Sequence, residues 1–201
     1  GSVSMFYLRP LGYSSGYYLQ PKFPRLFEYT DPIGGYGYAK TVVVPFQTDE
    51  LLLARAEANI LKSSPDYNAA VADLSLWMTR HTRSTNTLTF DAIQDYYGNL
   101  DYWDMDTKVW TSKKHLNPEV PFVSTEQENM IHCLLHIRRI ETTGEGLRWF
   151  DIKRYNIEIH RRLYSSAGEI RSLDKLEIRD KRYAIQLPQE VYLSGLEKNP
   201  R

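Results

Sequence analysis

One cysteine, Cys133, is all the thiol chemistry this 201-residue chain has. That excludes an internal disulfide framework. Cys133 lies within a helical pattern and reads as a small buried hydrophobe. Charge of one sign is also missing: 25 Lys and Arg balance 25 Asp and Glu. A neutral chain without a basic stripe is a poor partner for nucleic-acid phosphates. No apolar run approaches the ~18 residues of a membrane helix. No signal peptide is visible, and Gly1-Ser2 reads as a scar of tag removal.

Catalytic signatures are absent too. There is no H-E-x-x-H, no G-x-S-x-G elbow and no phosphate loop. "GGYGY" at Gly34 to Tyr38 lacks the Lys-Ser/Thr that a phosphate loop requires; it reads as a mobile loop presenting Tyr36 and Tyr38. No carboxylate pair stands out as a glycosidase dyad, because the separation of carboxylates is not written in sequence. His132 and His136 are four apart with Glu128 one turn before, but a third zinc ligand of known motif is missing. Asp101, Asp104 and Asp106 crowd one short stretch. Calcium is the ion such oxygens suit, yet the EF-hand spacing and its glycine are missing. The expectation is a solvated loop, with no cofactor and no metal.

What the chain has in excess is tyrosine, 15 residues, within an aromatic content of 13%. Rings of this kind suit surfaces that are part apolar and part wet, sugar faces among them, and they also suit cores. Most of the Gly and Pro punctuation falls in residues 1–40, read as loop with short extended pieces. Residues 42–46, "VVVPF", read as a short strand or an extended lead-in. A helix follows, with Thr48 as N-cap and Leu52, Leu53, Ala56 and Ile60 as its apolar face. Ser64 and Pro65 read as cap and first residue of a second helix, from Pro65 to Arg80. The pair makes a helical hairpin of tetratricopeptide size. One such hairpin cannot bury its face alone, since about three are normally needed.

Residues 81–122 are broken and polar, with one short helix from Phe90 to Tyr97. Ser124 and Gln127 then open the strongest helix with a capping box. Its stripe is Met130, Ile131, Leu134, Ile137 and Ile140, and Gly144 ends it. "GEGLRWFDIKRY" reads as a joint. Gly144 and Gly146 supply the positive-φ turn. Trp149 and Ile152 start the buried stripe of a further helix reaching about Arg162, and Arg148 can reach Asp151 at i+3. The tail reads as a short strand, a proline stop and a turn.

"IRRIETTGEGLRWFDIKRY" followed by "YAIQLPQEVYLSGLEKNP" resembles the SusD/RagB family. The helix ending in an acidic-glycine turn, the Arg-Trp-Phe-Asp opening, the Leu-Pro-Gln-Glu segment and the Asn-Pro come in the family's order. "QTDELLLARAEANILKS" with "DYNAAVADLSLWMTR" resembles its late hairpin. The resemblance covers about residues 42–80 and 124–200. It implies a mainly α fold of tetratricopeptide-like hairpins with long irregular loops and little strand. It further implies a cell-surface lipoprotein of the outer membrane that binds glycans or other nutrients. Such a protein performs no chemistry and serves a SusC-like TonB-dependent transporter. Family members are usually more than twice this long, and their lipid-bearing cysteine is missing here. The expectation is therefore a single C-terminal domain over residues 1–201, cut from a longer chain and anchored through a region this chain lacks.

No ligand residue carries over by motif. Tyr36, Tyr38, Tyr102, Trp103 and Trp110 are the ligand-binding candidates, as aromatics in Gly- or Asp-rich stretches. Two other readings stand behind this one: a helical-repeat module binding a peptide or protein, and, last, a glycoside hydrolase.

Overall fold

Leu53, Ala56 and Ile60 recur at helical spacing, and helix α1 (Thr48–Leu61) buries all three completely. Helix α2 (Tyr67–His81) answers with Ala70, Leu74, Trp77 and Met78. Each large apolar side chain so buried contributes about 1.5–3 kcal/mol. Arg55 binds Asp73 through two nitrogens, at 2.9 and 2.6 Å, and ties the hairpin on its polar edge.

The computed structural model describes residues 12–14, 17–19, 26–42, 44–82, 88–165 and 170–199; Gly1 and Ser2, read above as a scar, lie outside them. Among the described residues helix outweighs strand, which is the expected mainly α class. They divide into two units, one within Gly1–Phe90 and Cys133–Gly146, the other within Asp91–His132 and Leu147–Arg201.

The first unit holds α1, α2 and two β-hairpins. Strand β1 (Gly12–Ser14) pairs with β2 (Tyr17–Leu19), and β3 (Leu26–Asp31) with β4 (Tyr36–Lys40). The second hairpin is more regular than the loop expected there. Asp31 closes its turn by accepting the Ile33 and Gly34 amides, both at 3.0 Å. Gly37 makes it possible, because a Cβ there would overlap the Glu28 carbonyl and the Phe27 ring. Residues 42–46 form no strand among those described and lead into α1.

The second unit holds α3 (Phe90–Gly98) apart from its first residue. The short strands β5 (Tyr102–Trp103) and β6 (Trp110–Thr111) follow. Helix α4 (Thr125–Glu141) carries the unit boundary between His132 and Cys133. Its Met130, Ile131, Leu134 and Ile137 are buried as the stripe predicts. The capping box is there in altered form: Ser124 Oγ accepts the Gln127 amide at 3.3 Å, while Gln127 reaches back to the Val123 amide at 2.8 Å.

Three helix limits differ from the sequence reading. Gln47, not Thr48, is the N-cap of α1, and its amide reaches Glu145 at 3.1 Å instead of capping. Asp66, not Ser64, caps α2 by accepting the Ala69 amide at 3.0 Å. Helix α5 (Arg148–Arg154) stops well short of Arg162. Asn156 takes a positive φ of 45°, and β7 (Ile159–Tyr164) follows, paired with β8 (Ile170–Leu176). Ile159 and Leu163 are four apart, a spacing that puts side chains on one face of a strand as readily as of a helix. The tail differs likewise. A single 3-10 turn (Lys181–Tyr183) and a short helix α6 (Gln189–Leu193) replace the expected strand, with Pro188 as the cap of α6.

The joint reading of "GEGLRWFDIKRY" holds at its glycines, with φ of 84° at Gly144 and 78° at Gly146. Arg148 lies 3.7 Å from the buried Asp151. Trp149 is only half-buried, with its ring edge-on to Tyr183 at 5.7 Å, so it is a lesser anchor than the stripe implied. Two alanine substitutions separate backbone strain from space. Gly146→Ala meets no atom within 4 Å yet keeps the positive φ, so it is expected to cost about 1–2 kcal/mol. Gly98→Ala, 3.6 Å from Asn129 in ordinary backbone, is expected to be neutral or to stabilise by about 0.4–1 kcal/mol. Thermal unfolding checks both; equal melting temperatures would remove the strain argument.

Candidate functional site

Three of the five candidate aromatics lie on one strand pair of the second unit, and two of them are in contact. Asp104 builds their support. Its carboxylate accepts the Asp106 and Thr107 amides at 2.8 and 3.1 Å, and Lys108 turns the chain with a φ of 58°. The Asp104 carboxyl is held below its ordinary range by the Thr107 and Asp106 amides. This turn returns the chain so that Trp103 pairs with Trp110 and Tyr102 with Thr111. The two indoles meet edge to face at 5.5 Å. Trp110 is 68% exposed, whereas Tyr102 and Trp103 are half-buried. An indole is therefore offered to solvent with its partner Trp103 behind it.

Paired charges lie beside Tyr102. Lys114 sits 5.2 Å above the Tyr102 ring and 3.3 Å from Glu158. Lys175 bridges Asp106 at 2.8 Å and Glu158 at 3.1 Å, and His160 lies 3.3 Å from Glu158. Burial raises the Glu158 carboxyl, but Lys175 and Lys114 outweigh it and hold the group below its ordinary range. Asp106 and Glu158 against Lys114 and Lys175 give no net charge. Such a border offers donors and acceptors without selecting an ion.

The remaining candidates, Tyr36 and Tyr38, lie in the first unit. They stand on strand β4, not on a mobile loop, and are 73% and 58% exposed. Being two apart, they share one face of the hairpin. Phe27 and Tyr29, edge to face at 4.9 Å, alternate on the other strand.

Asp104 accepts the amides of its turn and Asp106 faces Lys175. Among the described residues Asp101, Asp104 and Asp106 are not one of the groups of three close ligand atoms. The His132 ring stacks on Tyr97 and lies 3.9 Å from Glu128. Burial, then Arg139, lowers the affinity of His136 for a proton. Among the described residues neither histidine belongs to a group of three ligand atoms.

Sequence reasoning missed an open cleft of about 710 Å³, lined by His115, Asn117, Pro118, Phe122, Glu128 and Arg179 among others. Most of its walls come from residues 115–124, a stretch with no periodicity, joined by Glu128 of α4 and by Arg179, and only the prolines hinted at a fixed shape.

The family model described as the SusD family matches residues 8–184. No curated protein and no solved structure matches the chain.

Proposed function

The chain belongs to the SusD family, and we propose that it captures a neutral oligosaccharide on aromatic surfaces and passes it unaltered to a SusC-type TonB-dependent transporter. Membership implies glycan binding in nutrient uptake, and members are binding proteins rather than enzymes. The observation that carries the site is the exposed Trp110 indole, set edge to face against Trp103, with charges that cancel beside the neighbouring Tyr102. A sugar ring presents C–H groups on its faces and hydroxyls at its rim. The indole suits the first, and Lys114, Glu158, Lys175 and Asp106 suit the second. The exposed Tyr36 and Tyr38 make a further surface of the same chemistry on their own unit. The place of action in this proposal is the cell surface of the outer membrane, reached as a lipoprotein. Among the described residues, no helix is long and apolar enough to cross a membrane.

Ring contacts of this kind are modest. Trp110→Ala is expected to weaken binding by about 0.5–1.5 kcal/mol, roughly two- to tenfold, with unfolding unchanged. Calorimetric titration against a panel of neutral oligosaccharides measures it. The Tyr36→Ala, Tyr38→Ala double variant is titrated separately. Parental affinity after Tyr102, Trp103 and Trp110 are all changed to Ala would remove the second-unit surface from the proposal.

A further inference from the structure

Asp49 in the first turn of α1, His81 at the end of α2 and Glu141 at the end of α4 converge within the first unit. One ligand atom from each lies within 4.8 Å of the others. The His81 Nε2 is 3.4 Å from Asp49 Oδ2 and 4.0 Å from Glu141 Oε2.

The surroundings of the imidazole fix which nitrogen faces the carboxylates. Nδ1 lies 3.0 Å from the Trp77 carbonyl, which only accepts, so Nδ1 carries a proton. In the neutral ring Nε2 then bears a lone pair, and it is aimed at two anionic oxygens. Lone pair against lone pair is repulsive unless a proton or a cation lies between them. The ring is also held in place. Trp77 stacks on it at 5.0 Å, nearly parallel, and donates its indole N–H to Glu141 Oε2 at 2.9 Å. A carbonyl behind the histidine and a donor behind a carboxylate are the outer contacts that orient metal ligands.

We propose that Asp49, His81 and Glu141 bind a divalent transition-metal ion of the zinc class, which clasps the ends of α1, α2 and α4. An imidazole with two carboxylates suits zinc and its neighbours, whereas calcium and magnesium prefer oxygen alone. Ligands about 2.0–2.1 Å from a tetrahedral zinc stand roughly 3.3–3.4 Å apart, close to the His81–Asp49 distance. Two carboxylates and a neutral ring carry two negative charges, which the ion balances. Side-chain exposures of 32% for Asp49 and 33% for His81 leave room for water as the fourth ligand. The comparable group of Asp106, Glu158 and His160 differs, because the Lys175 ammonium already bridges its two carboxylates.

The chain, freed of metal with chelator, is titrated with zinc chloride and separately with calcium chloride by calorimetry, and its thermal unfolding is followed in each. One zinc is expected to bind per chain and to raise the melting temperature. His81→Ala and Asp49→Asn should each weaken that binding at least tenfold and remove the rise, while His160→Ala should leave both intact. Zinc held equally well by His81→Ala and Asp49→Asn would place it on other residues and overturn the proposal. So would the absence of stoichiometric zinc binding, or calcium binding as tight as zinc that survives in His81→Ala.

Discussion

Arg138→Met is expected to destabilise the first unit by about 3–5 kcal/mol. Arg138 lies on α4 and is only 7% exposed. Its Nη1 donates to Glu57 at 3.1 Å and its Nη2 to Glu50 at 2.5 Å, both on α1. Glu57 is 5% exposed, so removing the guanidinium leaves a carboxylate in low dielectric without its main compensation. The Glu50 side chain, 33% exposed, recovers part of its hydration from water. The two carboxylates therefore share the loss unequally, and Glu57 carries most of it. Urea unfolding of Arg138→Met, Glu57→Met and the double variant measures this. The double variant should cost less than the two single changes together, because an apolar pair leaves no buried charge. If Arg138→Met unfolds within about 1 kcal/mol of the parent, the node is solvated and the estimate fails.

Nothing about Arg138 was legible in the sequence. "IRRIE" sits at the end of an amphipathic helix, where basic residues usually face water and suit the helix dipole. Its partners are 81 and 88 residues away, and only the packing of α4 against α1 unites them. The same limit hid Asp49, His81 and Glu141, each a plausible helix-end residue on its own. What could be read were local periods. The stripes of α1, α2 and α4 each bury several residues at spacings of three and four, and no strand pattern fits them. α5 was overextended because Ile159 and Leu163 fit both periods. Trp103 and Trp110 could be named as loop aromatics, but their contact depends on a turn that Asp104 fixes through backbone amides. Tyr36 and Tyr38 were found in the wrong kind of element, since "GGYGY" reads as loop until Asp31 and Gly37 are seen to build a hairpin.

Acid is expected to loosen the second unit through Glu128. This carboxylate, 7% exposed, accepts the Leu116 amide at 2.8 Å and lies 3.0 Å from His115 Nδ1. His132 and Lys113 face it from 3.9 Å. Lys113 is itself buried, and its ammonium also donates to Asn129, which in turn donates to Gln94 at 2.7 Å. Burial pulls the Glu128 pKa up, but the contacts with His132, the Leu116 amide and His115 outweigh it and bring it from 4.5 to about 2. A folded pKa below the unfolded one means that the unfolded chain binds the proton more tightly. The stabilisation is therefore whole above about pH 4.5 and is lost as pH falls towards 2. The span corresponds to an upper value on the order of 3 kcal/mol. Glu128→Gln keeps the shape and an oxygen for the Leu116 amide but cannot ionise. Its stability deficit against the parent should be about 2–3 kcal/mol at pH 6 and should shrink steadily below pH 4.5. Urea unfolding of both proteins across that range decides the matter. A deficit that stays constant from pH 6 to pH 2.5 would mean that the ionisation of Glu128 does not set it, and would overturn the charge argument.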